Sequence, residues 1–565
     1  MTPPLADKLA SQLARLVPFG KRSDDPLASF RAATQWLDQL PVGDAYKCQE
    51  AVLRQIKRLN EQGTPLTKEW LNLLMLLDER SRDLQDTLVN QYLRNPRMSR
   101  QQESQLWHAV YALFWETARG YHAAALRMAR APGRHGDANL MPRVVLRAIR
   151  AVGQLLKWRA IRYLPAGEKL WLRLHGLYQI AEDSGFQRAT LQAYRDDPSE
   201  GSCESSYLHI LMLQLAHSGS LYPRQIDLLD RWLLNWHGRM QFDAKCDQNT
   251  HQFTVDLAAD HGPRRARVQN AVASARCWNT TGLLEQIGEI QAALQNRQSP
   301  AESGLGEHTR PAESLELLTH LQRQWAIQAA REQRRAPRET IKRLIDVAHG
   351  LSAIVNQIKT TNSTSNNSPY GSTLSYRESD DLAVYGFVTD RTRGDTSLMK
   401  TPTHLFTADV ERWVMHDESE CGYGAFVELH DMDWLRVGTL LAVKPHDTTD
   451  WKIGIVRRLS RHSDDTLSVG IETLPHKPEL AMLYSTATAG YTVNGLDNSG
   501  ANLPHASVWL DGTDGPDTVI VDPVHYAPGK VFRLAGVPDS PFITLGSPLE
   551  RSEGWMRVVA EPASA

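Results

Sequence analysis

Apolar residues recur at helical spacing through the first half of the chain, from about residue 28 to about 240. Such stripes, repeating every three or four positions, are the signature of amphipathic helices that bury one face. One stripe follows Pro223, which suits a first helical turn, and it consists of Ile226, Leu229, Leu233 and Trp236. Several helices of this kind, without a strict repeat period, predict a bundle or a short α-solenoid.

Helical spacing continues to about residue 298, with one strand-like excursion near 250–260. We therefore expect a short N-terminal tail over 1–27 and an all-helical domain over 28–298. The next residues, 299–313, are rich in Ser, Pro and Gly, which predicts a linker.

The C-terminal part has a different period. A polar stretch at 356–380 contains almost no aliphatic residues, and its composition predicts a disordered insertion. Short β-branched runs separated by Gly, Pro and Asp follow, among them VGTLLAVK, WKIGIVRRL and LSVGIETL. They predict an all-β barrel or sandwich. The predicted fold class is α+β and multidomain, with an N-terminal helical domain and a C-terminal β-barrel.

Charge and cysteine content narrow the functional classes. The chain has 63 Lys and Arg against 65 Asp and Glu, so it has no global field that attracts nucleic acid. Its five cysteines are scattered, and we interpret them as reduced thiols of a cytoplasmic protein. We find neither the apolar core of a signal peptide nor a run long enough to insert into a membrane.

Catalytic and metal motifs are missing from the sequence. There is no HExxH, no Gly-x-Ser-x-Gly and no Gly-x-x-x-x-Gly-Lys-Ser/Thr. We therefore expect no enzyme activity, no metal and no cofactor.

The first segment that can carry chemistry is a basic cluster in REQRRAPRETIKR. Its candidate ligand-binding residues are Arg331, Arg334, Arg335 and Arg338. Arginine forks match phosphate oxygens in pairs and stack on bases. A solvated helix end, where basic side chains favour the dipole, is the simpler alternative.

The second segment is DESECG, residues 417–422, with Asp417, Ser419 and Gly422 as candidates. Carboxylate and hydroxyl oxygens in such a turn can accept N–H groups, and the glycine permits close approach or positive φ. An ordinary hairpin turn can have the same sequence.

Together, Arg-x-x-x-Arg followed by Asp-x-Ser-x-x-Gly resembles the signature of the PilZ family. The arginines fit in two registers, Arg331 with Arg335 or Arg334 with Arg338. The resemblance implies a six-stranded barrel, over 314–480, that binds cyclic-di-GMP; the arginines would hold phosphates and guanine faces, and the turn would contact a guanine. Residues 481–565 would be a β extension. The two halves of the motif lie farther apart than is usual in the family, which the insertion at 356–380 would explain.

The leading hypothesis is a cyclic-di-GMP effector whose helical domain carries the output through a protein partner. The alternative is a PilZ-like interaction scaffold that does not bind the nucleotide. A third reading, nucleic-acid binding through the arginine cluster, is disfavoured by the neutral net charge.

Overall fold

The structure is a computed structural model. It describes residues 25–41, 43–62, 67–95, 98–130, 140–195, 200–217, 219–236, 239–247, 249–266, 272–307, 309–326, 339–364, 410–428, 432, 434–462, 466–485, 504–512, 515–535, 542–552 and 554–563. The chain divides into two compact units. The first comprises Met1–Ile161, Ala166–Ala216 and Pro223–Gln328. The second comprises Arg162–Pro165, His217–Tyr222 and Ala329–Ala565.

The first unit is mainly helical. Its helices are α1 Phe30–Asp38, α2 Ala45–Glu61, α3 Lys68–Arg94, α4 Arg100–Arg130, α5 Leu140–Ile161, α6 Leu170–Asp183, α7 Cys203–Ala216, α8 Pro223–Trp236, α9 Thr281–Gln295 and α10 Pro311–Trp325. The first three begin after Ser29, Asp44 and Thr67, whose side chains each accept a hydrogen bond from a backbone N–H of the first turn.

Helix α5 forms the centre of this unit. It is buried along most of its circumference and contacts α4, α6, α7 and α8. A helix that is buried on most sides needs neighbours on most sides, which explains a bundle around α5. Two charged side chains on this helix, Arg147 and Lys157, are buried and paired with acidic residues of other helices.

Small strands complete the first unit. They are β1 Leu191–Gln192, β2 Glu200–Gly201, β3 Phe253–Asp256, β4 Arg264–Arg265 and β5 Ala275–Trp278. A disulfide joins Cys246 to Cys277, whose Cα atoms are 5.4 Å apart. The expectation of five free thiols is therefore wrong for this pair. Spacing in the sequence hid it, since Cys277 lies 31 residues away and comes alongside only because β5 pairs with the chain at Asp243.

The second unit contains two closed barrels. The first is formed by β6 Glu339–His349, β7 Val410–Ser419, β8 Gly422–Glu428, β9 Leu440–Pro445, β10 Lys452–Arg461 and β11 Thr466–Thr473. Its strands close in the order β10-β11-β8-β7-β6-β9, with every pair antiparallel. Alternate residues point inward, as the strictly alternating burial of β11 shows. The predicted α+β fold class is thus confirmed.

The second barrel repeats this topology. Its strands are β12 Pro478–Ser485, β13 His505–Leu510, β14 Thr518–Val521, β15 Val531–Ala535, β16 Phe542–Ser552 and β17 Trp555–Pro562. They close in the order β12-β13-β14-β17-β16-β15. Counted from the first strand of each barrel, both orders read 1-2-3-6-5-4, so the segment predicted only as a β extension contains a second copy of the same architecture.

An apolar cluster joins the barrels. It contains outward-facing residues of β9 and β10, such as Leu440 and Ile453, together with Val508, Ile520 and Trp555 of the second barrel. The Trp555 indole N–H donates a hydrogen bond to the Gly438 carbonyl at 2.9 Å.

Helix α11 Leu351–Thr364 packs in the same cluster through Ile354, Val355 and Ile358. Residues 356–364 of the predicted insertion are therefore helical, because the apolar spacing here outweighs the polar composition that follows. The rest of the insertion, 365–380, lies outside the described residues.

Two short segments from between helices belong to the second unit. Tyr163, between α5 and α6, accepts a hydrogen bond at its carbonyl from the Arg461 amide at 2.9 Å, and Gly219, between α7 and α8, accepts one from the Leu459 amide at 3.0 Å. Strand β10 is thus bordered by both connections. Among the described helices, none is both long and apolar enough to cross a membrane.

Candidate functional site on the first barrel

The candidate residues on β7 and β8 lie on the outer face of the first barrel. Asp417 on β7, Gly424 on β8, Gly470 on β11 and Arg458 on β10 are successive cross-strand neighbours. The row follows half of the barrel's circumference, because β7 and β10 are three strands apart in either direction. We call the part of this surface formed by Asp417, Gly424 and Gly470, with the adjoining Phe426 and His416, the glycine face.

The turn at one end of this face is closed by Ser419 and Gly422. The Ser419 hydroxyl donates a hydrogen bond to the Gly422 carbonyl at 3.2 Å. A Cβ at Gly422 would lie 2.1 Å from the Ile471 carbonyl oxygen, so only glycine lets β8 approach β11 this closely. The glycine of the motif is therefore explained by close approach rather than by positive φ.

Asp417 follows an irregularity in the pairing of β7 with β8, between Met415 and Asp417. Its side chain is 18% exposed and lies over Gly424, where an added Cβ would be 2.6 Å from its carboxylate oxygen. Its other oxygen is 3.2 Å from Nδ1 of His416. The bulge thus brings two successive polar side chains, Asp417 and His416, to the same face.

Aromatic rings border the carboxylate. Phe426 is 42% exposed, and its ring centroid lies 4.4 Å from that of His416 and 5.7 Å from that of His462. Ser468, the cross-strand neighbour of Phe426, brings its hydroxyl within 3.4 Å of Nε2 of His416. A half-exposed ring held between two imidazoles is a surface on which a planar group can stack.

Arg458 lies at the far end of the row and is exposed. Among the described residues, its guanidinium forms no ion pair, whereas the neighbouring Arg457 is held by Glu472 at 2.6 Å and by Glu550. Arg458 is therefore an exposed cation, but it lies on the opposite side of the barrel from Asp417.

Of the seven residues predicted from the sequence, Asp417, Ser419 and Gly422 lie together at the β7–β8 turn. The other four, Arg331, Arg334, Arg335 and Arg338, lie outside the described residues. The strand that follows them is described: β6 begins at Glu339, directly opposite Glu418. Arg343, later in the same basic segment, forms an ion pair with Asp447 at 2.7 Å.

The arrangement can accept N–H groups at Asp417 and stack a ring on Phe426. The sequence motif pointed to Asp417, but it missed His416, Phe426 and Ser468. Phe426 carried a signal, since it occupies an outward position of the alternating segment GYGAFVE. Ser468 carried none, because its nearness to His416 depends on the pairing of β11 with β8.

Comparison with known protein families gives a match to the helical part of the chain. Residues 31–247 match the family described as the N-terminal domain of the cyclic-di-GMP receptor FimW. The matched stretch covers less than half of the chain and runs from α1 to beyond α8.

A curated relative is the cyclic-di-GMP receptor FimW of Pseudomonas aeruginosa (strain PAO1). It is 26% identical over 296 residues, which cover 51% of this chain and 47% of the relative. The chain thus spans about half the length of that relative. No solved structure matches the chain.

Proposed function

We propose that this protein is a cytoplasmic, non-enzymatic effector that binds cyclic-di-GMP on its first barrel, in the manner of a PilZ domain. The arginine segment 331–338 would hold phosphates and guanine faces, and Asp417 and the Ser419–Gly422 turn would contact a guanine. The helical unit would carry the output through a protein partner, and neither a nucleic acid nor a metal or cofactor takes part. The similarity to a protein named as a cyclic-di-GMP receptor supports this reading.

One observation carries the proposal. Strand β6 starts at Glu339 opposite Glu418, and Arg338 is the preceding residue in the chain. Consecutive Cα atoms are about 3.8 Å apart, so the end of the arginine segment is tied to the strand that carries Asp417. Because β6 and β7 pair directly, a long insertion between these strands is compatible with the two halves of the motif acting together.

The second barrel gives a reason to expect one binding face per chain. Its strands β13 and β14 are the counterparts of β7 and β8 in the shared strand order. Their outward residues Val508, Leu510 and Ile520 belong to the apolar cluster between the barrels. The face equivalent to the glycine face is therefore covered, and an anion has no polar partner there.

The test is calorimetric titration of cyclic-di-GMP into the full chain and into variants. Asp417→Ala is compared with Asp450→Ala, which removes an exposed carboxylate from the same barrel. Arg331→Ala/Arg335→Ala and Arg334→Ala/Arg338→Ala separate the two registers, and the exposed pair Arg54→Ala/Lys57→Ala on α2 is their control. A charged hydrogen bond contributes roughly 1.5–3 kcal/mol, so each loss should weaken binding tenfold or more.

Binding at micromolar concentration or below, lost with Asp417→Ala and with one arginine pair but kept in both controls, is the expected result. The expected stoichiometry is one site per chain, occupied by a nucleotide monomer or an intercalated dimer. No heat from wild-type protein that is folded by circular dichroism would reject the proposal and leave the non-binding scaffold.

A further inference from the structure

A pocket opens on the helical unit, at α1, α3, α5 and the β1 segment. Its volume is about 170 Å³, and its lining includes Phe30, Glu79, Arg143, Arg147, Tyr194 and Arg195. All of these residues belong to the first unit, so the pocket is independent of the barrels.

Arg147 at the floor of the pocket is buried and held by three hydrogen bonds. Its guanidinium donates hydrogen bonds to the Ala193 carbonyl at 2.7 Å, to the Tyr121 hydroxyl at 3.0 Å and to Glu79. Its ion pair with Glu79 neutralises both charges, so this pair does not determine the sign of the pocket.

Tyr194 forms a wall between two guanidinium groups. Arg82 lies 4.1 Å from its ring centroid and Arg147 lies 4.6 Å away. Burial raises the pKa of Tyr194 to about 12, so its hydroxyl keeps its proton at neutral pH. The wall is thus a fixed ring that carries a hydrogen-bond donor.

The rim carries two guanidinium groups. Arg143 is half-buried and Arg195 is exposed, and among the described residues neither side chain has an acidic partner. The apolar side of the rim is Phe30, which is 42% exposed at the start of α1. Two available guanidinium groups beside an exposed aromatic ring complement a carboxylate next to an apolar side chain.

The volume of the pocket indicates whether it binds a free small molecule or a side chain of a protein. Small-molecule pockets usually span about 300–1,000 Å³, whereas a cavity of about 150 Å³ holds one benzene ring. At about 170 Å³ this pocket is too small for a cyclic dinucleotide and large enough for one or two amino-acid side chains. The chain's own first 24 residues are an unsuitable occupant, since they carry four Lys or Arg against two Asp.

We propose that this pocket is the docking site for an acidic segment of a protein partner, with a carboxylate on Arg143 and Arg195 and a neighbouring apolar side chain against Phe30. This inference rests on the proposed function, in which the helical unit binds a protein partner, and it specifies where that partner binds and which side chains it presents.

The probe is a phage library of random twelve-residue peptides selected on the full-length protein. The best clone is then synthesised with a fluorophore, together with a version in which its Asp and Glu are replaced by Asn and Gln. Binding is measured by anisotropy to wild type, to Arg143→Ala/Arg195→Ala and to the control Arg54→Ala/Lys57→Ala, which removes two exposed cations from α2 of the same unit.

We expect enriched peptides to carry Asp or Glu beside an apolar residue, and affinity to fall at least tenfold in the pocket variant and in the amide peptide, but not in the control. No enrichment, an acid-free consensus or unchanged binding to the pocket variant would overturn the proposal. Competition by free glutarate at micromolar concentration would also overturn it, by assigning the pocket to a small acid.

Both double variants should keep the wild-type melting temperature and the wild-type response to cyclic-di-GMP. Failure of the pocket is therefore distinguishable from failure of the nucleotide site, because each is read by a separate titration.

Discussion

Phe426 offers the sharpest test of the glycine face, because it points away from the barrel core. Its ring is 42% exposed and is supported from the side by His416 at 4.4 Å. Stacking of a base on an aromatic side chain contributes about 1–3 kcal/mol by alanine substitution. Phe426→Ala should therefore weaken cyclic-di-GMP binding by roughly 5- to 150-fold, while a surface change of this kind alters stability little.

The assay is calorimetric titration of cyclic-di-GMP into Phe426→Ala, Phe426→Tyr and the control Val524→Ala. Phe426→Tyr keeps a flat ring and should bind like wild type, and Val524, which is 84% exposed, lies on the second barrel. If Phe426→Ala binds within twofold of wild type while Asp417→Ala does not bind, the ligand contacts the turn without lying on the glycine face, and the stacking argument is wrong.

Three further predictions concern stability. Trp555→Phe removes the donor to the Gly438 carbonyl and should lower the free energy of unfolding by about 1–3 kcal/mol. The loss should be measurable as faster amide hydrogen exchange across β12–β17. Unchanged exchange would contradict the role of this bond. Lys157→Met leaves Asp227 and Asp230 buried without the ammonium they share, and should cost about 3–5 kcal/mol in urea unfolding followed by circular dichroism; a loss below 1 kcal/mol would refute this reading of the network. The pKa of Asp346 is lowered, although burial opposes the shift, because His446, Lys444 and Arg412 surround its carboxylate. A carboxyl group whose pKa is lowered by folding stabilises the folded state above its usual pKa near 3.8, and this stabilisation is lost as the pH falls through the folded pKa. Asp346→Asn should therefore reduce the decline of the urea unfolding midpoint below about pH 4. Equal declines in the wild type and in Asp346→Asn would exclude this role of Asp346.

The helical unit was largely predictable because local periodicity determines it. Stripes such as Ile226, Leu229 and Leu233 correspond to the buried face of α8. What the sequence could not give was the centre of the bundle, since α5 is apolar on most sides and its buried cations Arg147 and Lys157 look like surface residues until their acidic partners are placed.

The β half was predictable in class but not in number of barrels. Strands after residue 481 were visible, yet nothing local distinguishes an extension from a closed second barrel, because closure depends on the long-range pairing of β12 with β15. The candidate site divides in the same way. A short motif identified Asp417, whereas Phe426 and Ser468 come beside it and His416 only through cross-strand register.

Closure of both barrels limits how this chain can associate with others. Each described barrel strand has a hydrogen-bonded neighbour on both sides, and where β10 extends beyond β9 its backbone is bonded to Gly219 and Tyr163 instead. Strand addition, a common route to peptide capture and to aggregation, is thereby blocked over this part of the molecule. A partner that binds the described strands of these barrels would therefore recognise their side chains rather than an unpaired backbone edge.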